Sequence, residues 1–229
     1  MSSIKVIAFD ADDTLWVNEN YFAETEKQFC ALLEAFDSHH NISKTLLETE
    51  IKNLSIYGYG VKGYTLSMIE TALNITNNTA PISIINTIIN YGKDLLKKDI
   101  EVLPHVIEVL SALQRKYKLV VATKGDLLDQ QNKLERSGLS DYFHHIEVMS
   151  DKKENDYKKL LKHLDIQANE FAMVGNSVKS DILPVLQIGS KAFHIPHHTT
   201  WAHEIVNAKV EHENFVELTT LKQVLSYFD

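Results

Sequence analysis

The segment Ile4-Lys5-Val6-Ile7-Ala8-Phe9-Asp10-Ala11-Asp12-Asp13-Thr14-Leu15 sets a short apolar run directly against three carboxylates. A run as brief and as β-branched as Ile4 to Phe9 predicts a strand buried on both faces, as in a parallel sheet. Side chains alternate along an extended chain, so Asp10 and Asp12 are sent the same way. Carboxylates just beyond a buried strand stand at the carboxyl edge of such a sheet, where these folds bind ligands. Their mutual repulsion asks for a cation or a shared proton. Hard oxygen donors suit magnesium, and phosphate can complete its shell. The competing reading is a solvated acidic turn that merely ends the strand.

Two more runs, Leu119 to Thr123 and Phe171 to Gly175, repeat the pattern of an apolar stretch followed by polar residues and a turn. Helical spacing lies around them. After Pro104, read as a first helical residue, Val106, Leu110 and Leu113 recur at that spacing. Tyr157, Leu160, Leu161 and Leu164 do the same later, and Ser137-Gly138 ends the helix that begins after Asp126. Strands alternating with helices predict an α/β fold with a doubly wound parallel sheet.

Between the first two strands the pattern changes. Phe22, Phe29, Leu33 and Phe36 form one helical stripe, and Leu47, Ile51 and Leu54 a second. Leu66, Ile69 and Leu73 form a third, and Ile82, Ile85, Ile89 and Leu96 a fourth, opened by Pro81. No strand alternation competes there. The segment predicts an inserted α-helical domain over residues 17–98, with residues 1–16 and 99–229 forming the sheet core.

The 229 residues carry 31 acidic against 23 basic side chains, a formal net charge of −8. That balance argues against nonspecific binding to nucleic acid or to an anionic membrane. No apolar run reaches membrane-spanning length, and Ile4 to Phe9 ends in carboxylates and so does not read as a signal peptide. One cysteine, Cys30, excludes an intramolecular disulfide framework and a cysteine-only zinc site. The expectation is a soluble cytoplasmic protein.

Three later segments strengthen the ligand-site reading of Asp10 and Asp12. Ala122-Thr123-Lys124-Gly125-Asp126 offers a hydroxyl and backbone amides at a helix start, which can hold phosphate oxygens. Asp151-Lys152-Lys153 supplies cations just before a helix. Phe171 to Gly175 runs into Asn176-Ser177, with Asp181 five residues after Asn176.

In this order the segments resemble the haloacid dehalogenase superfamily, in the group with a helical cap inserted after the first strand of a Rossmann-like core. Asp10, Asp12 and Thr14 match the aspartate-x-aspartate-x-threonine motif, and Thr123 matches the second motif. Lys152 matches the motif lysine best, with Lys153 as the alternative. The fourth motif usually reads Gly-Asp-Ser followed by a second aspartate; here it reads Gly175-Asn176-Ser177 with Asp181. The matched motifs span residues 10 to 181, and the cap resembles the family in kind only.

Chemistry and resemblance together assign roles for a magnesium-dependent hydrolase of a small phosphomonoester. Asp10 is the expected nucleophile, forming an aspartyl-phosphate. Asp12 is the expected acid that protonates the leaving alkoxide and the base that then activates water. Thr123, the Lys124 amide and the Lys152 ammonium are expected to hold phosphoryl oxygens. The resemblance implies a magnesium shell drawn from Asp10, Asp12 (through its backbone carbonyl), Asn176 and Asp181. Asn176 brings an oxygen without a charge, which implies weaker magnesium binding; its other reading is a helix cap.

Rival functions remain at this point. A 2-haloacid dehalogenase uses the same nucleophile without magnesium or a general acid, and Asn176 leans that way whereas Asp12 leans away. Phosphonate cleavage would need a cap lysine, for which Lys62 is a weak fit, and a phosphomutase would differ mainly in how the cap excludes water. A non-catalytic binding module on the same fold is the alternative outside enzymes. His194, His197, His198 and His203 suggest zinc by composition, but Pro196 breaks their spacing. They, His39-His40 and His144-His145 read as surface or loop histidines. Tyr57, Tyr59, Lys62 and Tyr64 in the inserted segment either meet a substrate or pack within a helix-to-helix loop. Trp16 either lines the pocket or wedges the core.

Overall fold

Val6–Phe9 forms β1, buried along its whole length, in the computed structural model, which describes residues 4–228. It is joined by β2 (Lys118–Lys124), β3 (His145–Met149), β4 (Phe171–Gly175), β5 (Lys191–His194) and β6 (Phe215–Glu217). These make one parallel sheet in the order β3-β2-β1-β4-β5-β6. Phe9 stands beside Val121 of β2 and Val174 of β4, which brings the carboxyl ends of the three strands to one edge. The fold is the α/β, doubly wound class.

The described residues divide into two compact units. One holds those up to Glu19 together with those from Ile100 onward; the other is Asn20–Asp99. The second unit is helical. It comprises α1 (Glu19–Leu33, beginning on the dividing residue), α2 (His39–Tyr57), α3 (Val61–Ile75) and α4 (Ile82–Lys97). Its core joins Phe29, Leu33, Ile42, Leu46, Met68 and Ile88, with Cys30 buried among them. The sheet unit carries α5 (Val106–Leu113), α6 (Leu127–Arg136), α7 (Glu154–Leu164) and α8 (Leu183–Gln187).

Both faces of the sheet are covered, as the period-two alternation requires. Ile7, Phe9, Val121 and Val174 pack with α5 residues Val106, Val109, Leu110 and Leu113. Val6, Ala8, Val120 and Met173 pack on the other side with Tyr157, Leu160 and Val185.

Several sequence expectations are corrected. In α2 the buried positions are Ile42, Leu46 and Asn53, and Ile51 is exposed, as is Phe36 beyond the end of α1. In α3 they include Val61, Tyr64, Met68 and Ala72, leaving Leu66 exposed; in α4 they are Ile84, Ile88, Gly92 and Leu95, leaving Ile82 exposed. Doubled apolar pairs such as Ile84-Ile85 and Ile88-Ile89 admit two helical stripes one residue apart. Gly92 chooses between them, because a Cβ there would lie 2.1 Å from Thr65 Oγ1, so α3 and α4 meet on that face. Pro104 is not the first helical residue. His105, at φ 67°, precedes α5 in the left-handed region instead.

Candidate active site

At the sheet order's reversal, β1 lies between β2 and β4, and connections leave to opposite sides, which opens a crevice at the carboxyl ends. Asp10 follows β1 and Asn176 follows β4. The Asp10 amide donates to the Val174 carbonyl at 2.9 Å, carrying the strand pairing into the site.

Asp10 is buried. Lys152, reaching in from the connection between β3 and α7, donates from Nζ to Asp10 Oδ1 and, at 2.7 Å, to Asp181 Oδ1. Burial pushes the Asp10 carboxyl up, the Lys152 ammonium pulls it down and Asp181 pushes it up again, leaving it at about 7. Burial alone would lower the Lys152 ammonium, but Asp10 and Asp181 outweigh that and keep it charged. Lys153 lies outside this group, exposed and paired with Asp151 at 2.8 Å.

The second Asp10 oxygen, Oδ2, is 3.5 Å from Thr14 Oγ1. The end of the Asn176 amide lies 3.1 Å from Asp10 Oδ2 and 3.2 Å from both the Asp12 main-chain carbonyl and Thr14 Oγ1. With nitrogen inward, it donates to all three. With oxygen inward, it accepts from Thr14 Oγ1 at 3.2 Å while its oxygen, a carboxylate oxygen and a carbonyl oxygen converge, and a cation or a proton on Asp10 offsets that crowding. An all-oxygen set of this kind fits magnesium.

Asp181 lies on a π-helical turn, Val178–Ile182, immediately before α8. Such turns re-aim side chains at functional sites. Its Oδ2 accepts from the Ser177 amide at 3.0 Å and its Oδ1 from Lys152, so both carboxylate oxygens are occupied. A Cβ at Gly175 would lie 2.3 Å from Asp181 Oδ2, so glycine alone admits this carboxylate against the end of β4.

Asp12 turns its carboxylate elsewhere. Oδ1 accepts from Trp16 Nε1 at 2.8 Å and Lys133 Nζ at 3.0 Å, and Oδ2 accepts from Gln130 Nε2 at 2.7 Å. Burial would raise this carboxyl; the Lys133 ammonium and the three donors outweigh burial and hold it below the usual range. Trp16 is fully buried and its backbone bridges to Asp12 and to Val102, so it packs beneath the site within the sheet unit. Asp13, at φ 61°, accepts from the amides of Asn18 and Glu19 at 2.9 and 3.0 Å and so receives the start of α1.

Thr123 is buried near the end of β2, on the same sheet edge. The Lys124 ammonium engages Glu204 Oε1 and Ser180 Oγ, each at 2.9 Å. Burial would raise Glu204, but Lys124 with the Ser177 and Ser180 hydroxyls brings it down to about 2. Sequence reasoning missed Gln130, Lys133 and Glu204. On α6 the polarity is inverted, with Asp129, Gln130 and Lys133 buried while Leu127 and Leu128 are exposed, and nothing in the spacing signals it. The histidine expectation is also corrected in part. His194, the last residue of β5, is buried with Nε2 3.0 Å from the Asn176 carbonyl oxygen, and His197, three residues beyond, sets its largely shielded ring 3.6 Å from Asp13. In the helical unit, Tyr64 belongs to the core beside Phe22, whereas the exposed Tyr57 donates to Glu70 at 2.7 Å.

The haloacid dehalogenase-like hydrolase family matches residues 4–189. The chain belongs to that family. A haloacid dehalogenase-like family hydrolase from Xanthomonas campestris is 36% identical, with 98% of this chain and 90% of that chain covered and a TM-score of 0.89. The HAD-hydrolase YfnB from Bacillus subtilis, a structure bound to magnesium, is 16% identical over 99% of each chain, with a TM-score of 0.66. A 2-haloacid dehalogenase from Pseudomonas syringae is 18% identical over 97% of each chain, with a TM-score of 0.64. No curated protein matches the sequence. Among the described residues, no helix of this HAD-like hydrolase is long and apolar enough to cross a membrane.

Proposed function

We propose that this HAD-like hydrolase is a magnesium-dependent phosphatase of a small phosphomonoester, working through an aspartyl-phosphate. The observation that carries the reading is the oxygen set around Asn176, in which Asp10 Oδ2 and the Asp12 carbonyl lie 3.1 and 3.2 Å from the amide. Halide displacement needs no cation beside its nucleophile, whereas a phosphoryl group does. Asp10, the Asp12 carbonyl and Asn176 would hold magnesium, and Asp181 would orient Lys152 beside them. When bound, the ion neutralises phosphoryl charge and favours the ionised form of Asp10.

Asp10 attacks phosphorus and the bond to the leaving oxygen breaks. Asp12 delivers a proton to that oxygen, releasing an alcohol. Water then attacks the aspartyl-phosphate, Asp12 takes its proton, and inorganic phosphate leaves with Asp10 restored. Lys152, Thr123 and the Lys124 amide hold the phosphoryl oxygens meanwhile. The Lys133, Gln130 and Trp16 contacts suit the base step, since they keep Asp12 ionised; the acid step requires Asp12 to leave them protonated. The helical unit, Asn20–Asp99, would serve as the cap that the sequence predicts over residues 17–98, and the protein would work in the cytoplasm.

The test is p-nitrophenyl phosphate hydrolysis with magnesium and with a chelator, beside Asp10→Asn. Activity that needs magnesium and vanishes in the variant is the expected result. Turnover that ignores the chelator, or halide release from 2-haloacids in place of phosphate release, overturns the phosphatase reading.

A further inference from the structure

A group of side chains of metal-ligating type lies outside the crevice. His145 and Glu147, two residues apart on β3, share one face of the strand. Met149, the next residue on that face, packs with Tyr157, Leu160 and Leu161 of α7, so the face looks onto that helix. His163, next to the end of α7, meets them there. His145 Nε2 and Glu147 Oε2 are 3.6 Å apart, and His163 Nδ1 and Glu147 Oε2 are 3.3 Å apart. All three ligand atoms lie within 4.8 Å of one another.

We propose that His145, Glu147 and His163 form a binding site for a zinc-class divalent cation. Two donors about 2.0–2.1 Å from a tetrahedral ion stand about 3.3–3.4 Å from each other. The His163–Glu147 separation of 3.3 Å matches that spacing, and the His145–Glu147 separation of 3.6 Å is slightly wider than it and too long for a hydrogen bond. A small adjustment of His163, whose side chain is 66% exposed, closes the third.

His145 supplies an independent sign. Its Nε2 is buried and has no hydrogen-bond partner. Its Nδ1 lies 2.8 Å from His144 Nδ1. When His145 carries its proton on Nδ1 and donates it to His144, the Nε2 lone pair is left facing the group. A hydrogen bond on the far nitrogen is the usual support of a metal-bound imidazole. Two imidazoles and a carboxylate select zinc, nickel or cobalt over magnesium.

The site is separate from the crevice and tied to it by one loop. His145 pairs with Val120 near the amino end of β3, whereas Met149 pairs with Lys124 at the catalytic edge. From Met149 the chain passes through Lys152 into α7, which returns to His163. A bound ion therefore fastens together the far ends of the two elements whose connection carries Lys152.

The experiment titrates zinc, and separately cobalt, into the full chain with magnesium in large excess. Binding is read by calorimetry, by the visible spectrum of cobalt and by the shift in Tm. Wild type is expected to take one tightly held ion per chain, with a four-coordinate cobalt spectrum and a raised Tm. His163→Ala and Glu147→Gln are each expected to weaken that binding at least about tenfold and to abolish the Tm shift, and His144→Ala to weaken it about 10–100-fold. His163 is exposed, so its variant tests the ligand without disturbing the core. Zinc binding equal in wild type and His163→Ala, or no tight ion in wild type, overturns the proposal.

Discussion

Replacing Gly175 by alanine tests whether Asp181 is seated by the lack of a side chain at the end of β4. The added Cβ would lie 2.3 Å from Asp181 Oδ2, 2.4 Å from its Cγ and 2.6 Å from its Cβ. The three nearest atoms therefore belong to one residue, and that residue is pinned by Lys152 at 2.7 Å and by the Ser177 amide at 3.0 Å. Overpacking of this kind costs about 1–3 kcal/mol. For a chain of this size that corresponds to a Tm lower by about 2–12 °C. Displacing Asp181 also loosens Lys152, so magnesium-dependent turnover should fall at least tenfold, about 1.4 kcal/mol of barrier. A double-mutant cycle isolates the cause. Asp181→Gly removes all three clashing atoms, so adding Gly175→Ala to that background should change Tm little. The coupling between the two sites should reach about 1–3 kcal/mol. If Gly175→Ala lowers Tm equally in both backgrounds, the clash is not the reason for glycine here.

Three other expectations follow from particular contacts. In Lys133→Met, Asp12 loses the ammonium at 3.0 Å that holds its carboxyl down, so the limb of the pH–rate profile that Asp12 sets should move to higher pH. An unmoved profile would detach that limb from Asp12. Glu204 is held at about 2 against an ordinary 4.5, so its stabilisation is present above 4.5 and is lost as pH falls towards 2. Glu204→Gln should therefore be less stable than wild type at neutral pH, by on the order of 3 kcal/mol. The gap should narrow through that acid window, as denaturation at stepped pH will read. Gly92→Ala sets a Cβ 2.1 Å from Thr65 Oγ1 and should destabilise the protein by about 1–3 kcal/mol; equal Tm values would contradict the close approach of α3 and α4.

What the sequence disclosed followed burial. β1, β2 and β4 are inner strands, apolar on both faces, and their runs announce themselves. β3 and β6 lie at the sheet's edges, and β5 sets only Ala192 and Phe193 between a lysine and a histidine, so Lys191-Ala192-Phe193-His194 and His145-Ile146-Glu147-Val148 show too little periodicity to count as strands. The helical stripes slipped by a residue because paired isoleucines satisfy either face until a close neighbour decides. In the crevice, residues held by motif spacing were legible: Asp10, Asp12, Thr123, Lys152, Asn176 and Asp181. Their supports were not. Gln130 and Lys133 look like the solvent side of a helix that opens Leu127-Leu128, and Glu204 sits far along the chain in a loop that no spacing rule reaches. A polar contact across 121 residues, as between Asp12 and Lys133, leaves no local trace in either segment.

The Asn176 amide has a consequence for the protein between turnovers. A carboxylate in its place would meet Asp10 across about the same 3.1 Å and force one of them to hold a proton or the strand ends to part. The neutral amide avoids that repulsion, because with its nitrogen inward it donates to these oxygens without help from a cation. On the phosphatase reading proposed above, one carboxylate fewer at the end of β4 trades tightness of magnesium retention for strand ends that hold together without the ion.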